Sequence, residues 1–433
     1  MKILVRKSNN LIGKFHVPPA KSHGWRALFL AGLAHGKSKI IRPKESKDWL
    51  KAIEGMRQFG AKINKVGESW LIEGIGNKVQ VPDNVIECGN SGPLLRYFGI
   101  ISAVLTDKYV VITGDESLRH NRLAKPVVDA VNQLGGWGVT TKSDNHAPII
   151  IKGKINGGKC TVDGAESQIV SALLIGCSLC QKDTEIFVTN AGEKPWVELT
   201  ISWLKKAGIK VHNIGNKYEH FRVSGGQILK PLGNVVIPAD WQSIPTVLLA
   251  GILIPGSKIE VINIDPKDSC PDRLVVPVLK KMGADIKFTN NSVVAQFSPH
   301  LKGTKVDANN FTDQFVPIAI AAAFAQGKTE IFNNEIQHHK ECDRIKAVTK
   351  ALISMGVKVM EKKDGLIIKG NGGKDLKGAK INSHKDHRMV MNFTVAGMRS
   401  TGETNLNNAE SLDKTFNNFT DQFINLGTNI KKI

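Results

Sequence analysis

The chain has 433 residues, of which 41% are hydrophobic, and sets 59 Lys and Arg against 39 Asp and Glu for a formal net charge of +20. This length and apolar content suit two to four domains with real cores, and no apolar run approaches the ~20 residues of a membrane span. So basic a chain points to an anionic partner, either nucleic acid or small phosphorylated and carboxylated substrates. Aromatics make up only 6% and nowhere interleave with basic residues, which disfavours a nucleic-acid stacking surface.

From the start, Met1 to Lys7 alternates like a first strand and lacks the apolar stretch of a signal peptide, so a cytoplasmic protein is expected. Helices with small-residue faces are predicted at 22–34, 92–105, 167–179, 242–253, 313–325 and 386–398. Each ends at a turn and leads into a strand. Second helices follow, and 50–59, 122–134 and 197–207 show apolar residues at three- and four-residue spacing. These second helices end in a marker whose glycines are Gly60, Gly135, Gly208, Gly283, Gly356 and Gly427, at steps of 71 to 75 residues. A second series, Gly36, Asp107, Asp183, Gly256, Gly327 and Gly402, interleaves with it. Two markers sharing one period define a repeated supersecondary unit.

Helices and strands that alternate in this way predict an α/β fold with sheets wrapped around buried helices. Six units divide three and three, with the middle break near Pro231 to Asp240 and no floppy tether. Cys88, Cys160, Cys177, Cys180, Cys270 and Cys342 show no paired-knuckle spacing. The C-x-x-C of Cys177 and Cys180 closes an apolar helix and reads as core thiols. Nothing implies a metal or an organic cofactor.

The first helix of each repeat opens on polar residues, where free backbone N–H groups and the helix dipole favour anions. In order these are Lys21-Ser22 with Arg26, Asn90-Ser91-Gly92 with Arg96, and Glu166-Ser167-Gln168. The later repeats give Asp240-Trp241-Gln242, Asp313-Gln314 and Asp386-His387-Arg388. Serines and aspartates suit helix caps. Lysine or arginine at a helix start is disfavoured by the dipole unless an anion sits there.

With Thr113-Gly114-Asp115 followed by Arg122, Lys340-Glu341-Cys342-Asp343-Arg344 and Lys414-Thr415-Phe416 added to these motifs, the whole chain resembles the enolpyruvyl transferases, specifically the EPSP synthase (3-phosphoshikimate 1-carboxyvinyltransferase) family. The resemblance implies a two-domain inside-out α/β barrel of six βαβαββ repeats, three per domain. One domain would span 18–236; the other would join 1–17 to 237–433, with the active site in the interdomain cleft. The implied reaction moves the carboxyvinyl group of phosphoenolpyruvate (PEP) to a ring hydroxyl of shikimate 3-phosphate or a similar acceptor, within the shikimate pathway of aromatic amino acid biosynthesis. It needs clamps for a phosphate and a carboxylate, an acid for the PEP methylene and a base for the hydroxyl.

By motif match, Lys21, Gly92, Arg122, Gln168, Arg344, Arg388 and Lys414 would bind PEP, arginine suiting its oxygens through a bidentate fork. Lys21, Asp313 and Glu341 would be catalytic, Asp313 accepting the hydroxyl proton. The acceptor would meet Ser22, Arg26, Ser167, Gln168, Trp196, Asp313 and Lys340. A monomer is the default for this resemblance.

The acceptor half departs from the family. Glu166 and Glu193 stand where serines are expected against the acceptor's 3-phosphate, and Trp196 replaces a tyrosine. Ile336 lies near an expected asparagine. At an effective dielectric near 20, each like-charge pair about 5 Å apart costs roughly 3 kcal/mol. The two glutamates therefore point to an acceptor without that phosphate unless Lys194 or Lys340 neutralises them. One rival is the related transferase acting on UDP-N-acetylglucosamine, disfavoured because 107–126 lacks a cysteine. The other is a basic RNA-end-processing relative, which would not need the Lys340 and Asp386 motifs.

Overall fold

A helix that is apolar on every face is stable only where other elements cover all of it. The first helices of the repeats are of this kind. They run Lys21–Leu33, Gly92–Leu105, Ser167–Cys177, Ile244–Leu253, Phe315–Phe324 and His387–Met398, and in the fourth, fifth and sixth every residue is buried. In the computed structural model, which describes residues 1–142 and 144–433 except the Lys414 side chain, sheets supply the cover.

Among the described residues there are six four-stranded sheets, and all share one topology. In each, one strand runs parallel to its neighbour and two further strands follow antiparallel. Val235 pairs with Ile40 in parallel, for example, while Ile40 pairs with Trp70 and Trp70 with Lys65 antiparallel. Second helices at Lys47–Gln58, Lys125–Gln133, Lys194–Lys206, Val275–Lys281, Arg344–Ser354 and Phe419–Asn425 complete the repeats. The chain forms two compact units, Pro19–Ile237 and Met1–Pro18 with Pro238–Ile433. Each is an inside-out α/β barrel of three βαβαββ repeats, with its central helices within and its sheets without.

The second unit is closed by the N-terminal strands. Ile3–Arg6 lies between Glu403–Leu406 and Ile430–Lys432, and Ile12–Phe15 pairs in parallel with Lys258–Ile262. Glycine lets the central helices touch. A Cβ on Gly176 would stand 2.6 Å from Ile100 Cγ2, so a side chain there would push the Ser167 and Gly92 helices apart.

Several boundaries differ from those predicted. The second helix of repeat one starts at Lys47 because Ser46 caps it, accepting from Trp49 N at 3.2 Å, and its polar first turn hid the start. A short helix, Glu116–His120, takes the segment before Arg122 and delays the next helix to Lys125. The Ser167 helix ends at Cys177, leaving Cys180 beyond it, though both thiols are buried. Asp313 lies in a 3-10 segment, Asn309–Gln314, before the Phe315 helix. No helix among the described residues is long and apolar enough to cross a membrane.

Candidate active site

In the unit Pro19–Ile237 the second and third of the polar helix starts predicted from sequence come together around Gly92. A Cβ on Gly92 would lie 2.9 Å from Arg96 Nη1, 3.1 Å from Arg122 Nη1 and 3.3 Å from Gln168 Oε1. Three polar side chains thus converge on Gly92, and a side chain there would displace their ends. Arg122 donates one long bond, Nη1 to Asn90 O at 3.4 Å, among the described residues. Gln168 Oε1, Ser91 Oγ and Ser22 Oγ are buried without a hydrogen-bond partner. Buried polar groups are normally satisfied, so the two hydroxyls and the half-committed Arg122 guanidinium leave donors for a polar anionic ligand, while Gln168 Oε1 can accept from a ligand hydroxyl.

Lys21 opens its helix with Nζ donating to Asp48 Oδ2 at 3.2 Å, 5.0 Å from the Trp25 ring centroid. Arg26 is buried and committed within the chain. It donates from Nε to Thr200 Oγ1 at 2.9 Å, from Nη1 to Ser22 O at 2.9 Å and from Nη2 to Trp196 O at 3.2 Å. It therefore ties the first central helix to the helix Lys194–Lys206, with Trp196 packed against it.

The two glutamates are engaged by side chains of their own unit. Glu166 Oε2 accepts from Arg96 Nη2 at 2.7 Å. Burial pushes the Arg96 guanidinium pKa down, and Glu166 acts against that shift. Glu193 sits in the left-handed region at φ 45°, an unusual place for a residue with a Cβ. There its Oε2 accepts from Ser167 Oγ at 3.0 Å and Ser167 N at 3.3 Å, at the start of the Ser167 helix. A carboxylate is well placed at that end of the dipole.

The other unit builds its cluster on Asp313. Oδ1 pairs with Arg344 Nη1 at 3.1 Å, and Oδ2 pairs with Arg388 Nη2 at 3.0 Å and accepts from Gln242 Nε2 at 3.2 Å. Burial pushes the Asp313 carboxyl up, but Arg388, Lys340 and Arg344 outweigh it and hold the group well below the usual range. Arg344, 1% exposed, also donates to Asp386 Oδ2 at 2.7 Å, Glu341 Oε2 at 2.6 Å and Gln337 Oε1 at 3.3 Å. Burial disfavours its charge, and the carboxylates of Asp386, Glu341 and Asp313 more than restore it. Asp386 caps the last central helix, accepting from Arg388 N at 2.8 Å, while Arg388 Nη1 donates to Gln242 O at 3.1 Å. Burial lowers His387 to about 4, which keeps the imidazole neutral near pH 7.

Of the residues predicted from sequence, Gln242, Asp313, Glu341, Arg344, Asp386 and Arg388 meet in one cluster, and Lys340 acts on Asp313 through its charge. Ile336 lies in the neighbouring 3-10 turn Glu335–His339, half-buried. Lys414 ends the 3-10 segment Ala409–Lys414, and its side chain is outside the described residues. Sequence reasoning missed Asp48, Gln337 and Asp272, and gave Gln314 only as part of a helix start. The three missed residues carry no periodic or motif signal, because each acts through contacts made only in the fold.

Fold and paired clusters define the class, the six-repeat α/β transferases typified by EPSP synthases. A solved EPSP synthase from Acinetobacter baumannii superposes with a TM-score of 0.86 at 25% identity, over 99% of both chains. The family model described as EPSP synthase (3-phosphoshikimate 1-carboxyvinyltransferase) matches residues 5–423. The protein named 3-phosphoshikimate 1-carboxyvinyltransferase in Acetivibrio thermocellus is 39% identical over 430 residues, covering 99% of each chain. Its namesake in Methanocaldococcus jannaschii is 38% identical over 434 residues, again 99% of each. The chain belongs to the EPSP synthase family.

Proposed function

We propose that the protein transfers the carboxyvinyl group of PEP to a ring hydroxyl of shikimate 3-phosphate and releases phosphate. The observation that carries this reading is Asp313, a carboxylate kept ionised between two arginines. Family membership supports this acceptor over UDP-N-acetylglucosamine or an RNA end.

The acceptor oxygen bonds to C2 of PEP while its proton passes to Asp313. A proton from Lys21 or Glu341 goes to C3 and gives a tetrahedral adduct. The deprotonated donor then takes a proton back from C3 as the C2–O bond to phosphate breaks with its electron pair, which restores the double bond and releases phosphate. Lys21, Arg122, Gln168, Arg344, Arg388 and Lys414 hold the PEP anions, and Gly92 leaves them room. Ser22, Arg26, Ser167, Trp196 and Lys340 shape the acceptor side, with charge-assisted bonds to developing anionic oxygens lowering the barrier.

A second reading of the acceptor rests on Glu166 and Glu193. Both carboxylates stand at the Ser167 helix start, with Arg96 and Ser167 as partners. An acceptor offering a hydroxyl there avoids like-charge repulsion; an acceptor phosphate requires them to turn away. The test is phosphate release from PEP with purified protein, comparing shikimate 3-phosphate with shikimate. Turnover at micromolar shikimate 3-phosphate supports the first reading and sinks the second. Preference for shikimate does the reverse, and release with neither overturns both.

A further inference from the structure

Behind Asp313 lies a second acid that the reaction leaves unused. Asp272 belongs to the 3-10 turn Pro271–Leu274, is 0% exposed, and touches the segment that carries Asp313. Gln314, equally buried, donates Nε2 to Asp272 Oδ1 at 2.7 Å, and Cys270 Sγ lies 3.9 Å from Oδ2. Among the described residues Asp272 makes no ion pair. A buried carboxylate is sustained by a cation or by two to three good donors, and one amide with a distant thiol falls short.

The charged and titratable groups that face it come from several elements. Asp313 lies on the adjacent 3-10 segment, Asp240 precedes the Ile244 helix, and Arg388 comes from the last central helix. Cys270, on its own segment, is held as a neutral thiol by burial and then by Asp272 itself, Asp268 and Asp240. Arg388, the one cation among them, is already paired with Asp313 at 3.0 Å. Burial first, and then Asp313, push the Asp272 carboxyl up to about 8, with Arg388 and the Gln314 bond opposing.

We propose that Asp272 is a positioning residue that carries a proton in the working enzyme, and that its neutral acid form leaves Arg388 to Asp313 and to the PEP anion. Once Asp272 ionises, two carboxylates share Arg388 and PEP binding weakens. The proposal rests on the functional reading above for Asp313 and Arg388.

Two measurements test it: kcat/KM for PEP from about pH 6.5 to 9.5 in wild type and D272N, and an infrared titration of buried carboxylic-acid C=O stretches. In wild type, kcat/KM falls through KM, about tenfold per unit above roughly pH 8. D272N keeps kcat at pH 7 within about tenfold of wild type, and its alkaline fall begins at least about one unit higher. The infrared band is present at pH 7, gone by about pH 9, and missing from D272N. An identical alkaline limb in both proteins, a folded D272N with a larger loss of kcat at pH 7, or no acid band at pH 7 overturns the proposal. The band needs no turnover, so it decides the point even if the carboxyvinyl reading fails, and D272E, in which the band should persist at a shifted frequency, assigns it if D272N does not fold.

Discussion

The clusters around Asp313 and Gly92 hold similar side chains but commit them differently. Around Asp313, Arg344 meets three carboxylates and Arg388 closes the set, so most charges are balanced within the chain. Around Gly92, Arg122 makes one long bond and Gln168 Oε1 makes none. One cluster is therefore part of what holds its unit together, whereas in the other Arg122 or Gln168 can be lost without leaving a buried charge alone. Binding and stability are coupled in the first and separable in the second.

The largest effect expected is that of Arg344→Ala. It takes the arginine partner from Asp386, which is 0% exposed, and removes one partner each from Asp313 and Glu341. Removing one partner of a buried ion pair costs about 3–5 kcal/mol, so urea unfolding should show that loss alongside a fall in kcat/KM of roughly a thousandfold. Wild-type stability would break the contrast.

Arg122→Ala tests the other side. Loss of charge-assisted hydrogen bonds worth about 1.5–3 kcal/mol raises KM for PEP roughly 10- to 100-fold, while unfolding free energy stays within about 1 kcal/mol. A stability loss as large as that of Arg344→Ala would erase the distinction.

Glu193→Ser sharpens the comparison on the acceptor side. It removes the carboxylate that accepts from Ser167 Oγ and N. KM for shikimate 3-phosphate should fall severalfold, with a helix-start penalty of about 0.5–2 kcal/mol. An unchanged KM would mean that Glu193 does not face the acceptor phosphate.

The smallest effect is in the pH dependence of stability. Asp272 is raised to about 8, so from the unfolded carboxyl value near 4 up to about 8 the folded state binds the extra proton and stability falls as pH rises. His387, lowered to about 4, works oppositely: the unfolded state binds the extra proton between about 4 and 6.5, and stability is lost as pH falls. The two nearly cancel below about 6.5 and Asp272 acts alone above it. The melting temperature should therefore decline from about pH 6.5 to 8 in wild type and less in D272N. Equal slopes would show that Asp272 is ionised in the folded state.

The sixfold architecture was legible because the marker glycines keep their period whatever the local propensities. The Asp313 cluster was legible through contiguous motifs, such as Lys340 to Arg344 and Asp386 to Arg388, that carry their chemistry in spacing. Helix starts were less so, since caps such as Ser46 and the 3-10 turn at Asp313 leave no apolar period. Asp272 and its pairing with Gln314 were invisible, because a carboxyl 42 residues from its amide partner gives no local signal. Glu166 and Glu193 were noticed for their charge, but their partners, Arg96 and Ser167, depend on how the repeats pack.

The most direct test of the carboxyvinyl reading is 31P NMR of the protein with PEP and shikimate 3-phosphate. The account predicts that PEP disappears as inorganic phosphate and a new 3-phosphate-bearing enol ether appear one for one. Phosphate released without that ether, or PEP left intact with every shikimate acceptor, would contradict it.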